Sequence, residues 1–371
     1  MCKEEIIMTT NCMSNYSYGP NCFDELPAIL AGYGFKKVIF IGGKRALASS
    51  QTEVKQVLSQ ANVEVTASLV YGVESTQANI DRLVATEEVA AADVIFGFGG
   101  GKALDTAKMV AMELAKPIFT FPTICSNCSA GTAVAVIYHD DGSFDRYGFP
   151  PVPLHVFINT QVIANAPAKY FWAGIGDGIS KAPEVAHCVA HAKETGMELP
   201  HTATLGAAIA ASSKGAFYQY GPQGITDVKN NLASRAVEEV ALDIVVSTGY
   251  ASNLVNQKEF YFNSCHAHAF YNATTAIKRE GEYLHGQIVS FGVLVLHAYY
   301  QEDEELQRVL AFNHRLGLPV TLAQLGLSQA DIPKLVEVAM TTNEYKHLPF
   351  EPDQFAAAIK RADELGQALI K

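Results

Sequence analysis

Three separated stretches carry side chains able to hold a metal ion. Gly174-Ile-Gly-Asp-Gly178 sets Asp177 between glycines at what reads as a helix start. Cys265-His-Ala-His268 puts two imidazoles in an apolar helical stretch, and Leu284-His-Gly286 puts His285 at the head of a strongly apolar helix over residues 288–297. Two imidazoles and one carboxylate make three protein ligands and leave a coordination position open, as catalytic zinc and non-haem iron require. His268 and His285 are 17 residues apart, too far for one helix face, so the ligands must converge from separate elements. An imidazole in an apolar helix is more often a hydrogen-bonded core residue than a ligand, and spacing alone leaves both readings open. His139, His187, His191, His201, His297, His314 and His347 offer no better set.

A second chemistry is written in Val94-Ile-Phe-Gly-Phe-Gly-Gly-Gly-Lys-Ala-Leu-Asp-Thr-Ala-Lys108. It reads as a buried strand, a turn of glycines and a helix. Gly97, Gly99, Gly100 and Gly101 remove the Cβ where strand passes into helix. Glycine accepts positive φ and lets another group approach the backbone. A helix opening there directs free N–H groups and a positive dipole end outward, which suits a pyrophosphate. The alternative is a turn that only reverses the chain. Neither common phosphate loop matches, because G-x-G-x-x-G needs glycine where Lys102 stands and the P-loop needs Ser or Thr where Ala103 stands.

The elements that must position these groups follow from pattern. Lys37–Ile41 is a β-branched and aromatic run ending at Gly42-Gly43, with helical spacing from Lys44 to about Gln60. Val63–Val70 alternates as a strand, and Gln77–Ala91 reads as one helix with Ser75 or Thr76 as N-cap. After the glycine turn a helix is expected from Thr106 to about Leu114, then a strand at Pro117–Phe121, a hairpin about Asp140-Asp141-Gly142, and a last apolar strand at Leu154–Ile158. Strands alternating with helices make a parallel sheet, and such sheets bind ligands beyond the carboxyl ends of their strands. Beyond Pro167 alanine-rich amphipathic segments dominate. The expected fold is an α/β nucleotide-binding domain over residues 1–163 and a mostly helical domain over 164–371, with the chemistry in the cleft between them.

The 371 residues suffice for two domains with real cores, and 49% hydrophobic with 18% charged residues is ordinary for a soluble globular protein. A net charge of −11 argues against nucleic acid or an anionic membrane as partner. No run of 18 or more apolar residues spans a bilayer. The opening Met-Cys-Lys-Glu-Glu lacks the order of a signal peptide. Seven cysteines without regular spacing, Cys125 and Cys128 making one unpaired C-x-x-C, read as reduced thiols of a cytoplasmic protein.

Five motifs in order complete a pattern: Gly-Gly-Gly-Lys-x-x-Asp-Thr-Ala-Lys (99–108), Pro-Thr-Ile (122–124), Gly-Ile-Gly-Asp (174–177), Ala-His-Ala (267–269) and His-Gly-Gln-Ile-Val-Ser-Phe-Gly (285–292). Over roughly residues 10–360 the chain resembles the glycerol dehydrogenase family of the iron-containing, metal-dependent alcohol dehydrogenase superfamily. The resemblance implies a nucleotide-binding domain, a helical domain and a metal in the cleft. It implies Asp177, His268 and His285 as metal ligands, with His266 outside the pattern and Tyr271 in place of the second histidine of that helix. It implies Gly100, Gly101, Lys102 and Asp105 as pyrophosphate and nicotinamide contacts, Thr123 and Ser126 beside them, and Thr132, Val134 and Tyr138 as further cofactor-side positions. The implied reaction is hydride transfer between NAD or NADP and a small alcohol or oxo substrate, in a homo-oligomer.

Four positions depart from the family pattern. Lys181 stands one turn past Asp177 where iron-dependent members carry a fourth, histidine ligand, which favours zinc over iron. Cys128 replaces an aspartate that binds substrate hydroxyls; a thiol is a feeble partner, and losing the carboxylate removes a charge that repels anions. Both Cys128 and Gly43-Lys-Arg-Ala46 resemble the hydroxycarboxylate dehydrogenase branch; Cys128 reads equally as a small apolar filler. Gly43 replaces an aspartate that holds the adenosine ribose, which admits NADP beside Lys44 and Arg45, although these cations also read as a solvated first helical turn. Ala273 replaces a glycine without evident consequence. The expected function is therefore a metal-dependent NAD(P) oxidoreductase of a small polyol or 2-hydroxycarboxylate. A dehydroquinate synthase-type lyase and a non-catalytic nucleotide-binding relative are the alternatives.

Overall fold

The computed structural model describes residues 13–256 and 261–371. The reading of the opening Met1–Glu5 falls outside them.

The chain opens with strand β1 (Asn15–Tyr18), helix α1 (Leu26–Tyr33), β2 (Lys37–Gly42), α2 (Lys44–Gln60) and β3 (Glu64–Val70). Next come α3 (Gln77–Val84), α4 (Glu87–Ala91), β4 (Val94–Gly99), α5 (Gly101–Glu113), β5 (Ile118–Pro122), β6 (Ala135–Tyr138), β7 (Phe144–Gly148) and β8 (His155–Ile158). Six strands form one parallel sheet in the order β1-β8-β5-β4-β2-β3, and β6 and β7 form a separate antiparallel hairpin. A parallel sheet is covered on both faces, so its strands read as unbroken apolar runs; every residue of β4, β5 and β8 is buried. Alternation sorts their side chains. Phe40, Phe96, Phe98, Phe119, Phe121 and Phe157 stack on the face under α1 and α2, with the Phe98 and Phe121 rings 4.4 Å apart. Ile39, Ile41, Ile95 and Ile118 face α3 and α5.

The remainder is helical: α6 (Thr160–Asn165), α7 (Ala168–Glu194), α8 (His201–Lys229), α9 (Arg235–Leu242), a π-helical turn at 243–247 and α10 (Thr248–Val255). Then follow α11 (His266–Thr274), α12 (His285–Tyr299), α13 (Asp303–Leu316), α14 (Ile332–Ala339), α15 (Asn343–His347) and α16 (Pro352–Leu369). The α/β-then-helical architecture is the expected one. The expected division at 163/164 falls inside α6, and one core cluster runs across it: Leu104, Ala130, Val156 and Ile158 pack with Phe171, Ile175, Ile244 and Phe291.

Three local expectations need correction, and one strand pairing is unforeseen. Residues 77–91 are two helices, because Thr86 turns extended (φ −83°, ψ 126°) and its hydroxyl caps Arg82 O at 3.1 Å. Helix α5 starts at Gly101, five residues before Thr106, directly on the glycine turn. Asp177 lies well inside α7, whose start is set by Pro167. The short β1 pairs with β8, Tyr16 opposite Val156, a partnership across 140 residues that local pattern does not reveal.

Candidate active site

The two glycines before Asp177 serve close approach rather than helix initiation, Gly174 to a loop and Gly176 to a helix. A Cβ on Gly176 would lie 2.4 Å from Gly286 O, and one on Gly286 would lie 1.8 Å from Ala173 O. Helices α7 and α12 therefore touch backbone to backbone. That contact delivers Asp177 from α7 and His285 from the first turn of α12 to one point, His285 Nε2 standing 3.0 Å from Asp177 Oδ1. Helix α11 brings His268 to the same oxygen, Nε2 at 3.6 Å. The donor atoms of all three residues lie within 4.8 Å of one another. Asp177 is buried at 9% exposure, while the His285 side chain, at 35%, borders the open side.

Glu184, unremarked in the sequence, completes the arrangement. It lies two turns beyond Asp177 on α7 and is fully buried. Its Oε2 accepts from His268 Nδ1 at 2.6 Å, and its Oε1 accepts from the backbone N–H of Cys265 at 2.8 Å and of His268 at 3.0 Å. With the Nδ1 proton held by Glu184, Nε2 faces Asp177 and is the nitrogen whose proton a metal ion would displace, and Glu184 stands as the usual outer partner of a metal-binding imidazole. Its only sequence signal is the seven-residue spacing, which puts both carboxylates on one helix face. Burial opposes charge on Asp177, yet the His285 and His268 imidazoles hold its carboxyl far below the usual range. Burial likewise opposes charge on His268, and Glu184 and Asp177 outweigh it, pushing the imidazole up to about 10. A carboxylate and two imidazoles so compressed, one ring braced by a buried carboxylate, fit the donor set of a divalent cation.

Tyr271, one turn past His268, sets its ring edge-on to His285 with centroids 4.1 Å apart. His266 faces elsewhere, buried among Tyr299, Tyr300, Phe350 and Phe355.

The loop after β5 joins this cluster to the sheet. A Cβ on Gly174 would meet Cys125 O at 2.2 Å, so the loop rests on α7 one turn before Asp177. Asn253 of α10 clamps it, accepting from Ala133 N and donating to Gly131 O, both at 2.8 Å. Cys128 lies with its Sγ 3.9 Å from Ser252 Oγ; burial pushes its thiol up, and Lys181 and Asp177 are the charges it senses most.

The glycine turn lies at the carboxyl end of β4. Gly99 has φ +148°, and a Cβ there would stand 2.6 Å from Ala103 Cβ. Gly100 is the N-cap of α5, with no side chain capping the helix. The α5 amides are thus presented at the carboxyl end of the sheet without a side-chain acceptor, as an anion site requires. Lys102 pairs with Glu74 at 2.6 Å and lies over the Tyr138 ring at 5.3 Å. Thr123 N donates to Gly99 O at 3.1 Å, tying the loop to the turn, with Ser126 three residues further along. Asp105 is turned inward: it pairs with Lys108 at 2.9 Å and accepts from Val136 N at 3.1 Å. Lys108, fully buried, donates to the carbonyls of Ser129, Thr132 and Val134. The structure thus gives Thr132 and Val134 backbone contacts to Lys108. Tyr138 is held through its N–H to Ser75 O at 2.8 Å.

Comparison with known proteins identifies the family. The model of the family described as iron-containing alcohol dehydrogenase matches residues 14–153. The chain is 33% identical over 344 residues to a glycerol dehydrogenase of Escherichia coli strain CFT073, covering 90% of each chain. It is 30% identical over 357 residues to hydroxycarboxylate dehydrogenase A of Escherichia coli K12, covering 94% of this chain and 96% of that one. The solved glycerol dehydrogenase of Schizosaccharomyces pombe superposes with a TM-score of 0.80 at 26% identity, covering 99% of this chain and 92% of that one. The lyase alternative finds no support among these relatives. The chain belongs to the glycerol dehydrogenase family of the iron-containing alcohol dehydrogenases, NAD(P)-dependent enzymes acting on the CH–OH group of a polyol or hydroxy acid.

Proposed function

We propose that Asp177, His268 and His285 hold one divalent metal ion, zinc, and that a nicotinamide cofactor lies across the glycine turn with its reactive ring turned toward them. The observation that carries this reading is the convergence of the three donor atoms within 4.8 Å. Bound there, the ion supplies Lewis-acid polarisation of a substrate oxygen, and the nicotinamide accepts or gives the hydride.

The chain's own part is binding, orientation and exclusion of water. Gly100, Gly101 and Lys102 at the head of α5 meet the pyrophosphate, backbone amides first. Asp105 and Lys108 act from beneath, fixing residues 129–136 and with them Thr132 and Val134, which frame the cofactor together with Thr123, Ser126 and Tyr138. Glu184 orients His268, and Tyr271 backs His285. Cys128 and the loop around it lie beside the substrate, where they hold the reacting carbons in near-attack geometry.

Zinc is favoured because Lys181 stands where a fourth, histidine ligand of iron would stand. Gly43 as N-cap of α2, followed by exposed Lys44 and Arg45, supports use of NADP as well as NAD. The five cysteines among the described residues are free thiols, which supports a cytoplasmic setting. Exposed Tyr16 and Tyr18 on the edge strand β1 support assembly into a homo-oligomer. The acidic surface leaves nucleic acid out, and among the described residues no helix is long and apolar enough to cross a membrane.

The test is turnover of metal-loaded enzyme with glycerol, hydroxyacetone and 2-oxo acids, each with NADH or NADPH (NAD or NADP for glycerol). Activity abolished by chelation and restored by zinc supports the reading. Absence of turnover with both substrate classes overturns it.

A further inference from the structure

We infer that Lys181 is the anchor for a substrate carboxylate, which makes the preferred substrate a 2-oxo acid, reduced to the 2-hydroxy acid, rather than a polyol. This rests on the reading of Asp177, His268 and His285 as the reaction centre.

Lys181 follows Asp177 by four residues on α7, so the two side chains leave the same helix face one turn apart. It is buried at 5% exposure. Its Nζ donates to Asn263 O at 3.0 Å and to Asn263 Oδ1 at 2.6 Å, both neutral acceptors, which engage two of its three protons. Among the described residues no carboxylate pairs with it, whereas the other deeply buried lysine, Lys108, has Asp105 at 2.9 Å. A buried charge is costly unless an opposite charge meets it. The two oxygens of Asn263 hold the ammonium in place without neutralising it.

Its neighbourhood fits an anion. The loop that bears Cys128 rests on α7 at Gly174, one turn before Asp177, and Lys181 stands one turn after it; Lys181 and Asp177 are the charges that bear most on the Cys128 thiol. Burial keeps the Cys128 thiol protonated and so uncharged, and Ser252 Oγ lies 3.9 Å from its sulfur. A carboxylate at this position would repel an anionic substrate; a neutral thiol does not. In a chain of net charge −11, a buried lysine with no carboxylate partner among the described residues is the feature that distinguishes an acid from a neutral ketone of equal size.

The reaction balances without further reagents. NAD(P)H gives a hydride to the C2 carbonyl carbon, the C2 oxygen takes up one proton from solvent, and the carboxylate leaves unchanged. Lys181 binds that carboxylate and takes no part in bond making.

The test compares pyruvate with hydroxyacetone, which replaces the carboxylate by a neutral CH2OH, in zinc-loaded wild type, Lys181→Met, Lys181→Gln and Lys181→Arg. Wild type is expected to favour pyruvate in kcat/KM. Lys181→Met and Lys181→Gln are expected to lose about 100-fold on pyruvate, chiefly through KM, and to change little on hydroxyacetone. Lys181→Arg recovers part of the loss. Oxamate, an anionic non-reacting analogue, is expected to quench bound NADH fluorescence in wild type and not in Lys181→Met, a binding readout independent of turnover. If the variants fail to fold, the wild-type ratio decides alone: preference for hydroxyacetone overturns the inference. Equal losses on both substrates overturn it as well, leaving the metal reading intact. No turnover of either compound by zinc-loaded wild type sinks the metal reading itself, and the inference with it.

Discussion

Glu184 Oε2 and His268 Nδ1 are 2.6 Å apart in the buried interior, and this contact decides which nitrogen of His268 is turned toward Asp177. One helix, α7, thus supplies both a ligand and the group that orients another ligand. Glu184→Gln can still accept from Nδ1 but loses the charge that supports the imidazole as a donor. Zinc affinity, measured by competition with a chromogenic chelator, is expected to fall about 10- to 100-fold in Glu184→Gln. Unchanged affinity would reduce Glu184 to a packing residue.

Gly100 and Gly101 separate folding from cofactor binding. A Cβ on Gly100 would lie 2.4 Å from Ile124 Cδ1, whereas one on Gly101 meets only the ends of Asn127 and Ser129, at 3.3 and 3.6 Å. Gly101→Ala is therefore expected to melt near the wild-type temperature yet bind NADH about tenfold more weakly, a loss of roughly 1.4 kcal/mol. Fluorescence titration with NADH checks this. Wild-type affinity would show that the amide at 101 is not approached by the cofactor.

Lys108 and Asp105 form a buried ion pair beneath the loop that frames the cofactor. Lys108→Met leaves the Asp105 charge without its partner and releases the carbonyls of Ser129, Thr132 and Val134. The expected cost is about 3–5 kcal/mol of unfolding free energy, read from the urea midpoint, together with a raised KM for NADH. A loss below about 1 kcal/mol would contradict the role given to this pair.

His155 on β8 contributes an acid limb to stability. Burial lowers its imidazole to about 4, and Ser17 Oγ lies 2.9 Å from its Nε2. The folded state thus disfavours the protonated form, while the unfolded chain takes up a proton near 6.5. Its contribution is whole above pH 6.5 and is lost as pH falls from 6.5 toward 4, on the order of 3 kcal/mol in all. The non-titrating His155→Gln is expected to lose less stability than wild type between pH 7.5 and pH 4.5. Parallel melting curves for the two proteins would show that His155 is not the group responsible.

From Lys37 to Ile158 the order of strands and the glycine turn were legible because each rests on a local pattern: alternation, apolar runs, turn residues. The three candidate ligands stood out as residue types, but spacing alone left them open to a core reading. What joins them is the contact of Gly176 with Gly286, between chain segments 110 residues apart. The glycines around Asp177 suggested a helix start for the same reason; flexibility and close approach leave the same mark in a sequence. Glu184 was not legible, because a glutamate in a helix is ordinary until Cys265 and His268 arrive to bond it. The pairing of β1 with β8 was hidden likewise, since four residues carry little pattern and their partner lies far along the chain.

The most direct measurement is the zinc content of purified, zinc-equilibrated and dialysed protein, by mass spectrometry of the metal, in wild type and in the double variant Asp177→Asn/His285→Ala. The account predicts one zinc per chain in wild type and a small fraction of that in the variant, with NADH binding retained in both. One equivalent of zinc retained by the variant would contradict it.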